Sequence, residues 1–411
     1  MQTSKHEQQK DHSDSQVSRR DLYASYASGL FSMGQAELLT VIIPMWAVLQ
    51  GASPAEIGAI VGARSALTFF LAIHGGALMD RLGTRRVMLF FTAATGVLAL
   101  FYPFLPWLAV MLALQMLIGF TSNMTWMGAQ TLVAQVAKGD PGQIGHFSFY
   151  ARMGNVVAPL LMGFLWDYAG PQISFLGVAV WSAVMFFAVW QVNPAMQVME
   201  HTGKFHWREV LPKLSDYTGS LNLIWLPAVA FTLAISFTRH ATNAAESSFL
   251  IVYFKEVGFT AVTIGAIFSL GEIASGIASL FAGRIARAMP MVGSMIAFTA
   301  ASIVLLAMTP VMGGSFVMLA MAQAGRRIFE GLVQPLMFSL QARAVPRHLQ
   351  GSIVGLRVTN NRLASIVTPV VMGLMVQWFG LTAGFAIMGF LLCGLCLALG
   401  IVMARARRMT L

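Results

Sequence analysis

Residues 76–86 read Gly76-Ala77-Leu78-Met79-Asp80-Arg81-Leu82-Gly83-Thr84-Arg85-Arg86, a short polar turn between two apolar runs. Each residue type has a physical reason to be there. Gly76 permits a close helix approach, and Asp80 can accept from the N-terminus of a neighbouring helix. Gly83 lets the chain turn, and Arg81, Arg85 and Arg86 anchor the turn on the cytoplasmic side of a membrane. The flanking runs, about 56–79 and 87–105, approach the roughly 20 apolar residues that a hydrocarbon crossing requires.

The same pattern extends in both directions. Of the 411 residues 57% are hydrophobic and only 10% are charged, against roughly 25% charged in soluble domains. The chain is therefore an all-α membrane protein. Further apolar helices are read at 22–50, 107–136, 143–168 and 171–192, then at 221–254, 260–284, 290–309, 313–342, 349–379 and 381–404. These make twelve transmembrane helices in two six-helix bundles. The expected organisation is a cytoplasmic tail (1–21), an N-terminal bundle (22–192), a polar linker (193–220), a C-terminal bundle (221–404) and a second tail (405–411).

The formal net charge of +10 matters through its placement rather than as a nucleic-acid signature. With both termini on one side, that side collects 18 of the 26 Lys and Arg residues, among them Lys5, Lys10, Arg81, Arg85, Lys138, Lys204, Arg208, Arg284, Arg343 and Arg405; the opposite side holds Lys255. Both termini and the linker are accordingly expected in the cytoplasm, in a multi-pass protein of the cytoplasmic membrane.

The two halves repeat each other. Gly51, Ile57-Gly58-Ala59-Ile60 and Gly76 recur as Gly258, Ile264-Gly265-Ala266-Ile267 and Gly283 at an offset of 207. Arg152, Pro159, Met162, Gly163 and Gly170 recur as Arg362, Pro369, Met372, Gly373 and Gly380 at an offset of 210.

With the 76–86 turn, these features closely resemble the Major Facilitator Superfamily, whose signature between helices 2 and 3 runs G-x-L-x-D-R-x-G-R-R. The resemblance covers about residues 22–404. It implies a rocker-switch secondary transporter whose bundles are related by a pseudo-twofold axis along the membrane normal, with one substrate site near the midplane. It also makes Gly76, Asp80, Arg81, Gly83, Arg85 and Arg86 a gating motif. The second-half counterpart, Gly283-Arg284-Ile285-Ala286-Arg287, lacks the acid, so its latch is expected to be weaker or different. The superfamily's fifth-helix antiporter pattern is only partial (Gly154, Ala158, Pro159, Met162, Gly163), and the fourth-helix Arg of many proton-coupled members falls at Gln115.

Eleven ionisable residues fall inside spans: Glu37, Arg64, Arg152, Arg239, Glu246, Glu272, Arg326, Arg327, Glu330, Arg357 and Arg362. Exposing all of them to lipid would cost about 30 kcal/mol, so they face a cavity, one another or the helix ends. Arg239, Asn243 and Glu246 share one helix face. Arg326 and Glu330 stand at i, i+4, which leaves Arg327 as the spare arginine. Seven arginines against four glutamates favour an anionic or zwitterionic ligand, because the guanidinium fork matches a carboxylate. Expected binding residues are Arg152 and Arg362, as symmetric clamps from the two halves, with Arg239, Asn243, Arg326, Asn361, Trp126 and Asn123. Proton-coupling candidates are Glu246, Glu272, Glu37 and Glu330, in that order, since desolvation opposes a buried carboxylate's charge.

Cys393 and Cys396 read as packing residues, and His201, His206 and His240 as solvated or packing histidines. With no Ser-His-acid, metal-ligand or phosphate-loop constellation, the expectation is a non-enzymatic, monomeric protein without metal or cofactor. Its expected partners are the lipid bilayer, a small anionic substrate and a coupling proton, with no nucleic acid. The resulting reading is proton-coupled transport of a small organic anion or zwitterion; the alternative is efflux antiport of a drug, siderophore or other hydrophobic or chelator-type compound.

Overall fold

The structure is a computed structural model that describes residues 19–52, 54–105, 107–193, 211–259 and 261–409. Lys5, Lys10, His201, Lys204, His206 and Arg208 lie outside the described residues, as do the side chains of Lys255, Arg405, Arg407 and Arg408.

The chain begins with α1 (Arg19–Leu49), α2 (Pro54–Leu82), α3 (Thr84–Phe101) and α4 (Leu108–Val136). The segment Pro141–Trp190 is helical except at Gly170, whose φ of 83° and ψ of 173° split it into α5 (141–169) and α6 (171–190). After the short α7 (Leu214–Asn222), α8 (Pro227–Ala245) continues through a π turn at Glu246–Leu250 into α9 (Ile251–Glu256). Then come α10 (Ala261–Ser279), α11 (Ala282–Ala288), α12 (Met291–Met308) and α13 (Phe316–Ala344). Gln350–Met409 breaks at Gly380, at φ 79° and ψ 169°, into α14 (350–379) and α15 (381–409). Gly170 and Gly380 are repeat partners in a left-handed conformation that glycine adopts without steric cost, so the two halves reverse direction by one device.

Among the described residues there are twelve spans and no strand: α1 to α6, then α8 with α9, α10 with α11, and α12 to α15. α2 and α13 are the spans whose apolar runs are most interrupted by charge, by Arg64 in one and by Arg326, Arg327 and Glu330 in the other.

The ends of the even-numbered connections share one face with the N-terminal end of α1. Asp21 accepts from the Asn193 amide at 2.7 Å, Arg85 donates to the Trp190 carbonyl at 2.8 Å, and Arg343 donates to the Gly139 carbonyl at 3.0 Å. This is the basic face. Near it the two bundles share apolar cores, in one of which Ala129, Val133 and Phe147 meet Val333, Leu336 and Met337. Toward the opposite face each bundle has a core of its own, one around Leu39, Ile42 and Phe175 and the other around Phe254, Ile303 and Phe385. The bundles are thus joined at the basic face and separate at the other.

Two expectations change. The seventh span starts at Pro227 rather than 221, because Leu226 is extended and proline opens the helix as its first residue. The preceding α7 makes an angle of 97° with it and lies along the basic face. Trp46, whose place near a helix end in the sequence fits an aromatic belt at the membrane interface, is instead buried, edge-on to Phe175 at 5.7 Å. Trp107, Tyr168 and Trp378 are exposed near helix ends.

Candidate functional site: a charged cleft between the bundles

The deepest feature of the cleft is an ion network. Arg326 pairs with Glu246 and with Glu330, the latter at 2.6 Å. Arg327 reaches Glu246 and Glu272 at 3.0 Å each and Glu330 at 3.4 Å. Arg152, from the first half, meets Glu272 at 2.8 Å and also donates to Gln334 at 2.8 Å. Gln323 bridges the network, donating to Glu246 and accepting from Arg326. Three arginines are therefore matched to three glutamates.

This pairing corrects the reading of α13, where Arg327 was expected to be spare: it contacts all three acids. It also changes the standing of the glutamates. Glu246, placed first for proton coupling, is held between two arginines with 1% of its side chain exposed, and Glu330 is similar at 2%. The Glu272 side chain is 21% exposed and joins arginines of both halves. Glu37 makes no ion pair among the described residues and lines the cleft.

The remaining arginines have neutral partners. Arg357 donates to Gln341 and Gln130 and stacks over the Phe338 ring at 4.0 Å. Arg362 donates to Asn123 at 2.6 Å. Arg239 is buried, and its Nε finds no acceptor. Arg64 donates to Thr40 and to the Ala36 carbonyl. No carboxylate comes within ion-pairing distance of these four among the described residues. The expected symmetry of Arg152 and Arg362 does not extend to their partners, since Arg152 is neutralised and Arg362 is not.

Two cavities follow from this arrangement. An inner one of about 220 Å³ is bounded by Trp126, Gln130, Arg152 and Asn155 of the first half and by Arg239, His240, Asn243, Arg327, Arg357 and Asn361 of the second. A vestibule of about 830 Å³ lies toward the opposite face and carries Glu37, His240, Asn243, Arg327 and Arg362. Trp126 stacks on Phe147, with ring centroids 5.9 Å apart, and lines the inner cavity. Asn123 donates to the Gly119 carbonyl and holds Arg362, so it acts through that arginine rather than as a free contact. Asn361 accepts from Ser236 at 2.6 Å, and Asn243 accepts from Arg326 at 3.2 Å. The Gln115 side chain is buried and accepts from the Tyr102 hydroxyl at 2.7 Å.

The basic face is closed by the 76–86 turn. Asp80 accepts from the amides of Gly351 and Ser352, each at 2.6 Å, in the first turn of α14. A carboxylate on a helix N-terminus satisfies donors that the helix itself cannot. A Cβ on Gly76 would stand 2.2 Å from the Gly351 carbonyl oxygen, so only glycine fits. Gly83 turns the chain at φ 90°, and Arg86 is exposed. Arg81 is buried and faces α7, meeting Asp216 at 2.9 Å, while His74 approaches the same carboxylate at 3.2 Å. Tyr217 donates to the Phe70 carbonyl at 3.0 Å. Burial and the adjacent Asp216 carboxylate push its phenol above the usual range, so it remains a donor at ordinary pH.

Sequence reasoning missed Gln130, Gln323, Gln334 and Gln341, the neutral partners that solvate the arginines. Isolated glutamines in apolar helices were the available signal. It also missed α7 as a clamp on α2, and it read His240 as packing although His240 lines both cavities.

Comparison with known proteins fits this geometry. A search of curated protein sequences finds no match. The chain is similar to the crystal structure of the human organic anion transporter MFSD10 (TETRAN), at 16% identity and a TM-score of 0.68, covering 93% of this chain and 99% of that one. It is also similar to a bacterial homologue of the iron transporter ferroportin in its outward-facing state, at 14% identity and a TM-score of 0.73, covering 94% and 98%. At such identities the likeness concerns the fold alone. The sequence model described as Major Facilitator Superfamily matches residues 26–365 and 247–409. Because these matches together run from the first span to the last, the chain belongs to the Major Facilitator Superfamily of multi-pass membrane transporters.

Proposed function

We propose that the protein is a secondary transporter carrying a small organic anion or zwitterion across the cytoplasmic membrane by alternating access, coupled to protons. The observation that carries this reading is the set of arginines in the cleft, Arg239, Arg357 and Arg362, that have no carboxylate within ion-pairing distance among the described residues. Unpaired buried charge is costly, and a ligand carboxylate relieves that cost where the protein does not. The guanidinium fork supplies two parallel donors to such a group.

The basic face is assigned to the cytoplasm from its Lys and Arg content, which makes the present arrangement closed inside and open outside. A substrate entering the vestibule meets Arg362 first and then Arg239 and Arg357 in the inner cavity. Arg152 becomes available if the substrate displaces Glu272, which is also the acid that links the two halves. Glu272 and the unpaired Glu37 are therefore the coupling candidates favoured here, and Asp80 releases α14 when the inner gate opens. We take the working unit to be a monomer, since one chain contains both halves of the cleft.

Uptake into proteoliposomes tests the proposal. A panel of labelled organic anions, zwitterions, chelators and lipophilic cations is offered with and without an imposed pH gradient. Anion accumulation that follows the gradient and is abolished in Arg239→Gln supports the reading. Transport of lipophilic compounds alone, indifferent to that substitution, replaces it with the efflux reading.

A further inference from the structure

The cleft can be read for acceptors as well as donors. Glu246, Glu272 and Glu330 are committed to arginines, and the oxygens of Gln130, Gln334 and Gln341 accept from arginines as well. Two acceptors in the vestibule are left without a protein donor. One is the carboxylate of Glu37, which makes neither an ion pair nor a hydrogen bond among the described residues and has Arg64 as a more distant charged neighbour. The other is Nε2 of His240. Its Nδ1 stands 3.0 Å from the Ser236 carbonyl, which can only accept, so Nδ1 carries the proton of the neutral ring and Nε2 is left with a lone pair. His240 also borders both cavities, with Asn243 and Arg327, and so stands where the vestibule gives way to the inner cavity.

We infer that the substrate pairs its carboxylate with a hydrogen-bond donor, an ammonium or hydroxyl group, and that His240 with Glu37 selects for that donor. A plain carboxylate would satisfy the arginines and leave these two acceptors facing the apolar part of the ligand. A ligand carrying both groups satisfies both sets. The preference is large when a site is built around such a pairing, because the analogue without the donor strands the protein's own polar atoms. The 220 Å³ of the inner cavity, lined by Arg239 and Arg357 and also by Trp126 and Met33, limits the ligand to a small body with an apolar part. This inference rests on the anion reading above and narrows it to hydroxy acids and amino acids.

Two ligand triplets test it: succinate, malate and aspartate; and 3-phenylpropanoate, phenyllactate and phenylalanine. Affinities are measured calorimetrically on the detergent-purified full chain at pH 7.5. Within at least one triplet, the hydroxyl or ammonium member is expected to bind at least about tenfold tighter than the unsubstituted acid. His240→Phe should erase that preference and leave the plain acid within about twofold of its original affinity, whereas His240→Gln, which keeps an acceptor, should restore much of it. Glu37→Gln should shift the preference from the ammonium toward the hydroxyl. Equal affinity across both triplets, with binding still lost in Arg362→Gln, overturns the inference and leaves the anion reading standing. If no member of either triplet binds, the anion reading falls and this inference with it.

Discussion

Arg152 and Arg362 occupy the same position in the two repeats, 210 residues apart, yet they have opposite fates. Arg152 is bound to Glu272 and Gln334 across the cleft, while among the described residues Arg362 donates to the amide oxygen of Asn123 and makes no ion pair. The same division runs through the whole site. Arg326 and Arg327 lie in a network that balances its own charge, whereas Arg357 lies beside two glutamine amides and an aromatic ring, and the buried Arg239 makes no ion pair among the described residues. A balanced network holds helices in place, and an unbalanced arginine is free to answer a ligand. On the function proposed above, the difference separates stability from binding within one cleft.

Substitutions can break that distinction. The largest effect is expected from Arg326→Leu, which leaves Glu246, Glu272 and Glu330 with only Arg327 and Arg152 among their ion-pair partners in the described residues and should cost about 3–5 kcal/mol of stability, read as a marked fall in the thermal midpoint of the purified protein. Arg362→Leu removes an unmatched charge and should leave the midpoint unchanged or raise it. Equal losses in the two variants would erase the distinction.

The gate offers a second comparison. Asp80 caps a helix of the other bundle, α14, while Asp140, at the corresponding end of α5, caps its own helix through the Gln143 amide at 2.8 Å. Gln350, the repeat partner of Asp140, donates instead to the carbonyls of Ala342 and Val345. Asp80→Ala therefore removes a link between bundles. It should shift the closed state by about 1.5–3 kcal/mol, the scale of a hydrogen bond to a charged group, seen as increased labelling of a cysteine introduced at the basic face. Asp140→Ala should cost about 1 kcal/mol of helix stability and leave that labelling unchanged. Tyr217→Phe, which removes one bond from α7 to α2, is the smallest perturbation. Its expected cost is about 0.5–1.5 kcal/mol, read as faster proteolysis of the linker.

The glycine pattern behind the closed gate shows why so much of the fold was legible. A Cβ on Gly355 would lie 2.4 Å from the Ala72 carbonyl, and one on its repeat partner Gly145 would lie 2.3 Å from the Ser279 carbonyl. Each half thus writes its helix crossing in the same residue types at the same spacing, and apolar length and charge placement supply the rest. The partners of the charges were harder to read. The i, i+4 pair of Arg326 and Glu330 lies on one helix, so spacing alone exposes it. The contacts of Glu246 with Arg327 and of Glu272 with Arg152 join different helices and depend on crossing geometry that no local pattern encodes. Glutamines such as Gln130 and Gln341 give no charge signal, although they decide which arginines remain unmatched. The position of His240 on the border of two cavities depends in the same way on packing that no local pattern encodes.

The central claim is that unmatched arginines bind an anion, and the most direct measurement is a carboxylate binding isotherm on the purified protein, wild type against Arg239→Gln, Arg362→Gln and Arg152→Gln. The account predicts at least a tenfold loss of affinity, about 1.4 kcal/mol, in the first two, with their thermal midpoints preserved, and a loss of stability as well as affinity in the third. Carboxylate affinity unchanged in both Arg239→Gln and Arg362→Gln would contradict it.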